Sequence, residues 1–169
     1  MSFINNIIND EIIKRLVKLV EELRSEQKEK SNLAITRRSE DFLLMISQYG
    51  LSSTITFFLS KIENEKLLDK GLEYFKGLEP QIPENLKGDA GSSGKGYASY
   101  LSLVLAWPLY DAFKKVKING LVDELKQNSS GVRDILLKNL HNIQRNELVL
   151  EAEALPGLLE LKKILRALD

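Results

Sequence analysis

Cysteine is absent from this chain, which excludes disulfides and thiolate chemistry. Histidine occurs once, at His141, among Leu140, Asn142 and Ile143. Without a histidine four residues away or a cysteine, a metal site or catalytic triad lacks its partners, and a surface or satisfied histidine is expected. There is no surplus of charge, because 24 Lys plus Arg balance 24 Asp plus Glu. No global field therefore draws the protein to nucleic acid, and any RNA contact has to come from a local basic patch. The N-terminus lacks a basic-then-apolar signal pattern, since Asp10 and Glu11 interrupt its isoleucines. Long apolar runs are missing too. The longest, Tyr97 to Phe113, contains Ser99, Ser102, Pro108 and Asp111 and falls short of the ~20 residues that span a bilayer. A buried helix, no membrane partner and a cytoplasmic location are the expectation.

What is present suits one domain with a full core: 169 residues, 43% hydrophobic and 28% charged. The organising stretch is Gln48 to Lys61, whose only glycine is Gly50. Phe42 to Ile46 lead into it, and Leu51, Ile55, Phe58, Leu59 and Ile62 recur on one helical face beyond it. Glycine at a helix end accepts a left-handed cap without a Cβ clash, so the spacing predicts a helix, a tight corner and a second helix. A strand over 54–59 is the alternative, because Ile55, Phe57 and Leu59 also alternate.

Elsewhere the period is also helical. Ile4, Ile8, Ile12, Leu16, Leu19 and Leu23 make the stripe of a long first helix, with Glu11 and Arg15 at i,i+4 spacing. Ser31 is the expected N-cap of the next helix. Asn64 caps a helix carrying Leu67, Leu68, Leu72 and Phe75 and closed by Gly77. The stretch 77–96, rich in Gly, Pro and Ser, reads as a mobile loop contributing little burial. Pro108 should kink or split the apolar helix near Trp107. A short helix falls between Gly120 and the 128–131 cluster, another carries Val132, Leu136, Leu140 and Ile143, and Pro156-Gly157 should break the segment after Leu155. The fold class expected is all-α, a single-domain bundle of about six or more helices.

Candidate chemistry is sparse. Gly88 to Gly96 is glycine-rich, but it lacks the phosphate-loop spacing, the hydroxyl after Lys95 and a preceding strand, so no nucleotide cofactor is expected. Glu151 and Glu153 are two apart and point away from one another on a helix, which makes a solvated face the default over an acid–base pair. The informative feature is basic. Arg37 and Arg38, with Lys28 and Lys30 and with Lys14, Arg15 and Lys18 on the first helix, are candidates for a stripe of phosphate contacts. The alternative is a solvated helix face whose charge Glu40 and Asp41 partly cancel.

The run from Tyr49 to Lys61, Tyr-Gly-Leu-Ser-Ser-Thr-Ile-Thr-Phe-Phe-Leu-Ser-Lys, resembles the signature of the fifth, small helical subunit of type III-B CRISPR effector complexes, the Cmr complexes. The match rests on the Gly50-Leu51 turn, Phe57-Phe58-Leu59 and Lys61, and more loosely on Glu153-Ala-Leu155 and Leu161-Lys-Lys163. Leu43 stands where that family often has proline, and Glu160 near its expected tryptophan. The resemblance implies an all-helical, non-catalytic subunit of antiviral defence. It further implies self-stacking copies in the minor filament, beside guide RNA and target RNA and against the backbone and large subunits. It adds Lys61 to the RNA-binding candidates. A small helical subunit of another CRISPR effector type is the neighbouring possibility, and a generic helical protein–protein adaptor is the reading from a different class.

Overall fold

The computed structural model describes residues 2–27, 32–87, 94–127 and 131–169, with the side chains of 2–8 left undescribed. Among the described residues there is no strand, and ten α-helices follow one another. They are α1 (Ser2–Glu26), α2 (Ala34–Tyr49), α3 (Leu51–Lys61), α4 (Glu65–Phe75), α5 (Lys95–Ala106), α6 (Pro108–Lys115), α7 (Asn119–Gln127), α8 (Val132–Lys138), α9 (Leu140–Arg145) and α10 (Glu147–Leu168). A 3-10 turn, Glu84–Leu86, precedes α5. No helix is long and apolar enough to cross a membrane among these residues.

The most apolar helix lies in the middle, as its composition requires. α5 packs against α2, α3, α4 and α6, and one core cluster draws residues from α1 through α10. Trp107 breaks the helical backbone at φ −129°, ψ −85°, and Pro108 starts α6 at a position where its missing N–H is no loss. The strand alternative for 54–59 is excluded, because those residues lie within α3. Phe42 and Phe58 are fully buried and meet edge to face at 5.1 Å, each also touching the ring of Tyr100.

The Gly50 corner has two reasons to be glycine. Its φ is +90°, and a Cβ there would lie 2.5 Å from the Glu147 carboxylate. Its N–H closes α2 on the Ile46 carbonyl at 3.0 Å, and its own carbonyl accepts from Thr54. The N–H groups that open α3 have no partner inside the helix. Glu151 accepts from the Leu51 N–H at 2.8 Å, and Glu147 from the Ser52 N–H at 2.8 Å and its hydroxyl at 2.9 Å. Two carboxylates at a helix N-terminus also suit its positive dipole end.

Several expectations need correction. Ser31 lies outside the described residues, and Leu33 occupies the cap position of α2 without a capping side chain. Its N–H is met by the Asp169 carboxylate, which Arg24 also binds. The helix expected over 132–143 is two helices, because Asn139 leaves helical geometry and turns its own amide onto the Ile135 carbonyl at 2.8 Å. Pro156 does not break its helix, and α10 runs through it from Glu147 to Leu168. Proline frees only the carbonyl four residues back, and Ala152 and Pro156 are both exposed, so water can satisfy it. Glu11 pairs with Lys14 at 3.4 Å and not with Arg15.

The loop also departs from expectation in its first half. Leu86 is 1% exposed, Ile82 packs on the core, and Lys95 Nζ donates to the Lys87 carbonyl at 2.7 Å. Residues 77–87 are therefore anchored, while the expectation for 88–93 lies outside the described residues. The α4 helix itself begins and ends as its sequence implies: Asn64 accepts from the Lys66 N–H at 3.1 Å, and Gly77 turns the chain at φ +81°.

Candidate nucleic-acid interface

The basic candidates divide into two groups. Lys14, Arg15 and Lys18 sit on α1, which packs against α4. Arg15 is committed to the fold: its guanidinium donates to the carbonyls of Tyr74 at 3.0 Å and Glu79 at 2.8 Å and lies 5.2 Å over the Tyr74 ring. Tyr74 returns a bond from its hydroxyl to the Arg15 carbonyl at 2.7 Å. Burial pushes the Tyr74 phenol up to about 12, against the opposing pull of Arg15. Lys14 is an exposed partner of Glu11, and Lys18 borders a shallow cleft with Glu22 and Lys87.

Arg37 and Arg38 do not act as a pair. Neighbours on a helix diverge by about 100°. Arg37 turns back to the Asn32 carbonyl, whereas the Arg38 guanidinium carbon lies over Tyr97, 4.2 Å from the ring centre. Arg38 Nη1 donates to Asp41 at 2.5 Å, and its Nε is buried without an acceptor. Among the described residues, Arg15, Arg37 and Arg38 thus turn to separate partners. Lys28 and Lys30 lie outside the described residues.

What the fold does bring together is Arg38 and Lys61, by way of aromatic rings. The Tyr97 ring stands 6.2 Å from Phe57 at 68°, and Lys61 Nζ lies 5.2 Å over Phe57. The order across the surface is Arg38, Tyr97, Phe57, Lys61. Each cation faces a ring whose π-cloud attracts it, a contact worth about 0.5–2 kcal/mol depending on desolvation. Three elements set this row. α2 supplies Arg38, α3 supplies Phe57 and Lys61 one turn apart, and the first turn of α5 supplies Tyr97. Gly94 lets α5 begin there, because a Cβ would stand 2.3 Å from the Lys61 carbonyl.

Phe57 is 36% exposed while its neighbour Phe58 is wholly buried, so α3 turns one ring inward and one outward. Beside Phe57 opens a cleft of about 420 Å³ lined by Ser52, Ser53, Thr56, Leu140 and Gln144. An exposed ring, adjacent hydroxyl and amide groups and two flanking cations form a surface suited to an unpaired nucleotide. Sequence reading missed Phe57 and Tyr97 as members of this surface. The spacing of Phe57 and Lys61, one helical turn apart, was a signal for half of it.

The other candidates behave as surface or structural groups. His141 is exposed on α9. Glu153 pairs with Lys115 at 3.5 Å, while Glu151 caps α3, so the two carboxylates serve separate contacts. Burial raises the Glu151 carboxyl above its ordinary value, the Leu51 N–H opposes this, and nearby Glu147 adds to it. Among the described residues, no group of three or more His, Asp or Glu side chains is placed to hold a metal ion. Comparison with protein-family models, with curated proteins and with solved structures found no match to this chain.

Proposed function

We propose that this protein is a non-catalytic, RNA-contacting small subunit of a CRISPR effector complex of the type III-B, Cmr kind. The observation that carries the proposal is the row Arg38, Tyr97, Phe57, Lys61, because the α3 residues of that row fall within the stretch that resembles the small-subunit signature. In this reading the cations meet phosphates and the exposed ring of Phe57 stacks a base, so RNA is held without reading its sequence. Guide RNA and target RNA are the ligands, cleavage belongs to another subunit, and a zero net charge leaves the contact to this local face.

Assembly draws on a different surface. Leu148, Leu155 and Leu159, on one side of α10, are 82%, 44% and 43% exposed. Such an apolar face suits contact with further protein, either self-stacking copies or the backbone and large subunits. It is also the observation that favours the second reading, a helical protein–protein adaptor without RNA.

Tagged protein recovered from the cells that make it distinguishes the two. The expected result is co-recovery of small RNA with other complex members, and loss of RNA but not protein in Lys61→Glu. Recovery of protein partners free of RNA would replace the proposal with the adaptor reading.

A further inference from the structure

A cavity lies away from the cation–aromatic row. It has a volume of about 600 Å³ and opens between α1, the end of α4, the end of α5 and α6. This falls within the usual ~300–1,000 Å³ of small-molecule sites. Its walls are apolar, with Ile12, Phe75, Leu105 and Tyr110 prominent.

Its polar groups are of nearly one sign. Arg15, Lys76 and Lys126 border it, against a single carboxylate, Glu11, which is already paired with Lys14. Arg15 and Lys76 are both half-buried, and neither has a carboxylate within ion-pair distance among the described residues. Lys76 gives one N–H to the Leu125 carbonyl, and burial lowers the pKa of its ammonium. A half-buried cation with only neutral partners is a standing electrostatic cost, which an anion placed beside it removes.

We infer that this cavity is a binding site for a small amphiphilic carboxylate, its apolar body against Ile12, Phe75, Leu105 and Tyr110 and its carboxylate against Lys76, with Arg15 and Lys126 alongside. The apolar walls supply the affinity and the cations select the sign of the head group. A cationic amphiphile of equal tail length would bring like charge to three basic side chains. The inference is independent of the RNA-binding face and stands or falls separately from it.

Isothermal titration of the whole protein with dodecanoate, and in parallel with dodecyltrimethylammonium, both kept below micelle formation, tests it. One dodecanoate per chain is expected, bound at least about tenfold more tightly than the cationic probe, a difference equivalent to about 1.4 kcal/mol. Lys76→Gln should weaken dodecanoate about tenfold. Ala106→Trp, which fills the cavity, should abolish binding. Leu78→Glu, at an exposed position on its border, should weaken dodecanoate and leave the cationic probe unaffected or improved. Circular dichroism confirms that each variant is folded, and Leu78→Glu decides the matter if Ala106→Trp is not. Equal affinity for the two probes, no saturable dodecanoate binding, or wild-type affinity in both Lys76→Gln and Leu78→Glu would overturn the assignment.

Discussion

Arg15 and Arg38 each lie over a tyrosine ring, Tyr74 at 5.2 Å and Tyr97 at 4.2 Å, yet their surroundings differ. Arg15 directs Nη1 to two backbone carbonyls, so it fastens the chain after α4 to α1. Arg38 bonds one carboxylate, and its ring continues through Phe57 to Lys61 at the surface. The difference teaches that an arginine stacked on a tyrosine has no fixed role. What decides the role is whether its remaining donors meet backbone inside the fold and whether its ring leads outward.

Four measurements break or sharpen this contrast. The segment that Arg15 holds should be part of the core, so Leu86→Ala should cost about 2–5 kcal/mol in urea unfolding. A loss under about 1 kcal/mol would restore the mobile-loop expectation for 77–87. Arg15→Ala should cost about 1.5–3 kcal/mol, since hydrogen bonds from a charged donor are lost and the Tyr74 and Glu79 carbonyls are left behind. On the proposed function, RNA retention should not change. Phe57→Ala should cost less, about 1–2 kcal/mol, since a partly exposed ring loses its contacts with Tyr97 and Lys61. On the proposed function, its RNA affinity should fall by about 1–3 kcal/mol, read by filter binding of single-stranded RNA.

The smallest effect concerns pH. Glu151 has a raised folded-state pKa, so the folded protein binds its proton more tightly than the unfolded chain does. Its contribution therefore makes stability fall as pH rises from about 4.5 through the folded-state value. Glu151→Gln should flatten that part of the profile in thermal melts at stepped pH. Asp111 is raised by burial as well, so some slope should persist in the variant. An unchanged profile in Glu151→Gln would place the origin of the slope elsewhere.

Much of the fold was legible because helical periodicity is local. Leu51, Ile55 and Phe58 announce an inward face without reference to any other segment. The misreadings at Pro156 and at the start of α2 have long-range causes. Pro156 is tolerated inside α10 because its side of the helix is exposed, and exposure depends on the packing of α10 against α2 and α6. The cap of α2 comes from Asp169, 136 positions from Leu33. The candidate site followed the same rule. Arg38 and Lys61 could be nominated as cations, but the rings linking them depend on how α5 crosses α2 and α3.

The carboxylates that cap α3 also set an order of assembly. Leu51 waits on Glu151, 100 positions later, Ser52 on Glu147, 95 later, and Leu33 on Asp169. An emerging chain can form the α2–α3 corner from local contacts, but both helices keep hydrated, unfinished beginnings until α10 docks. Contacts of such long separation form late, after the loop entropy between them has been overcome. α10 thus acts as a latch, and a ribosome that stalls before position 147 holds a nascent chain whose α2–α3 corner is made but not locked.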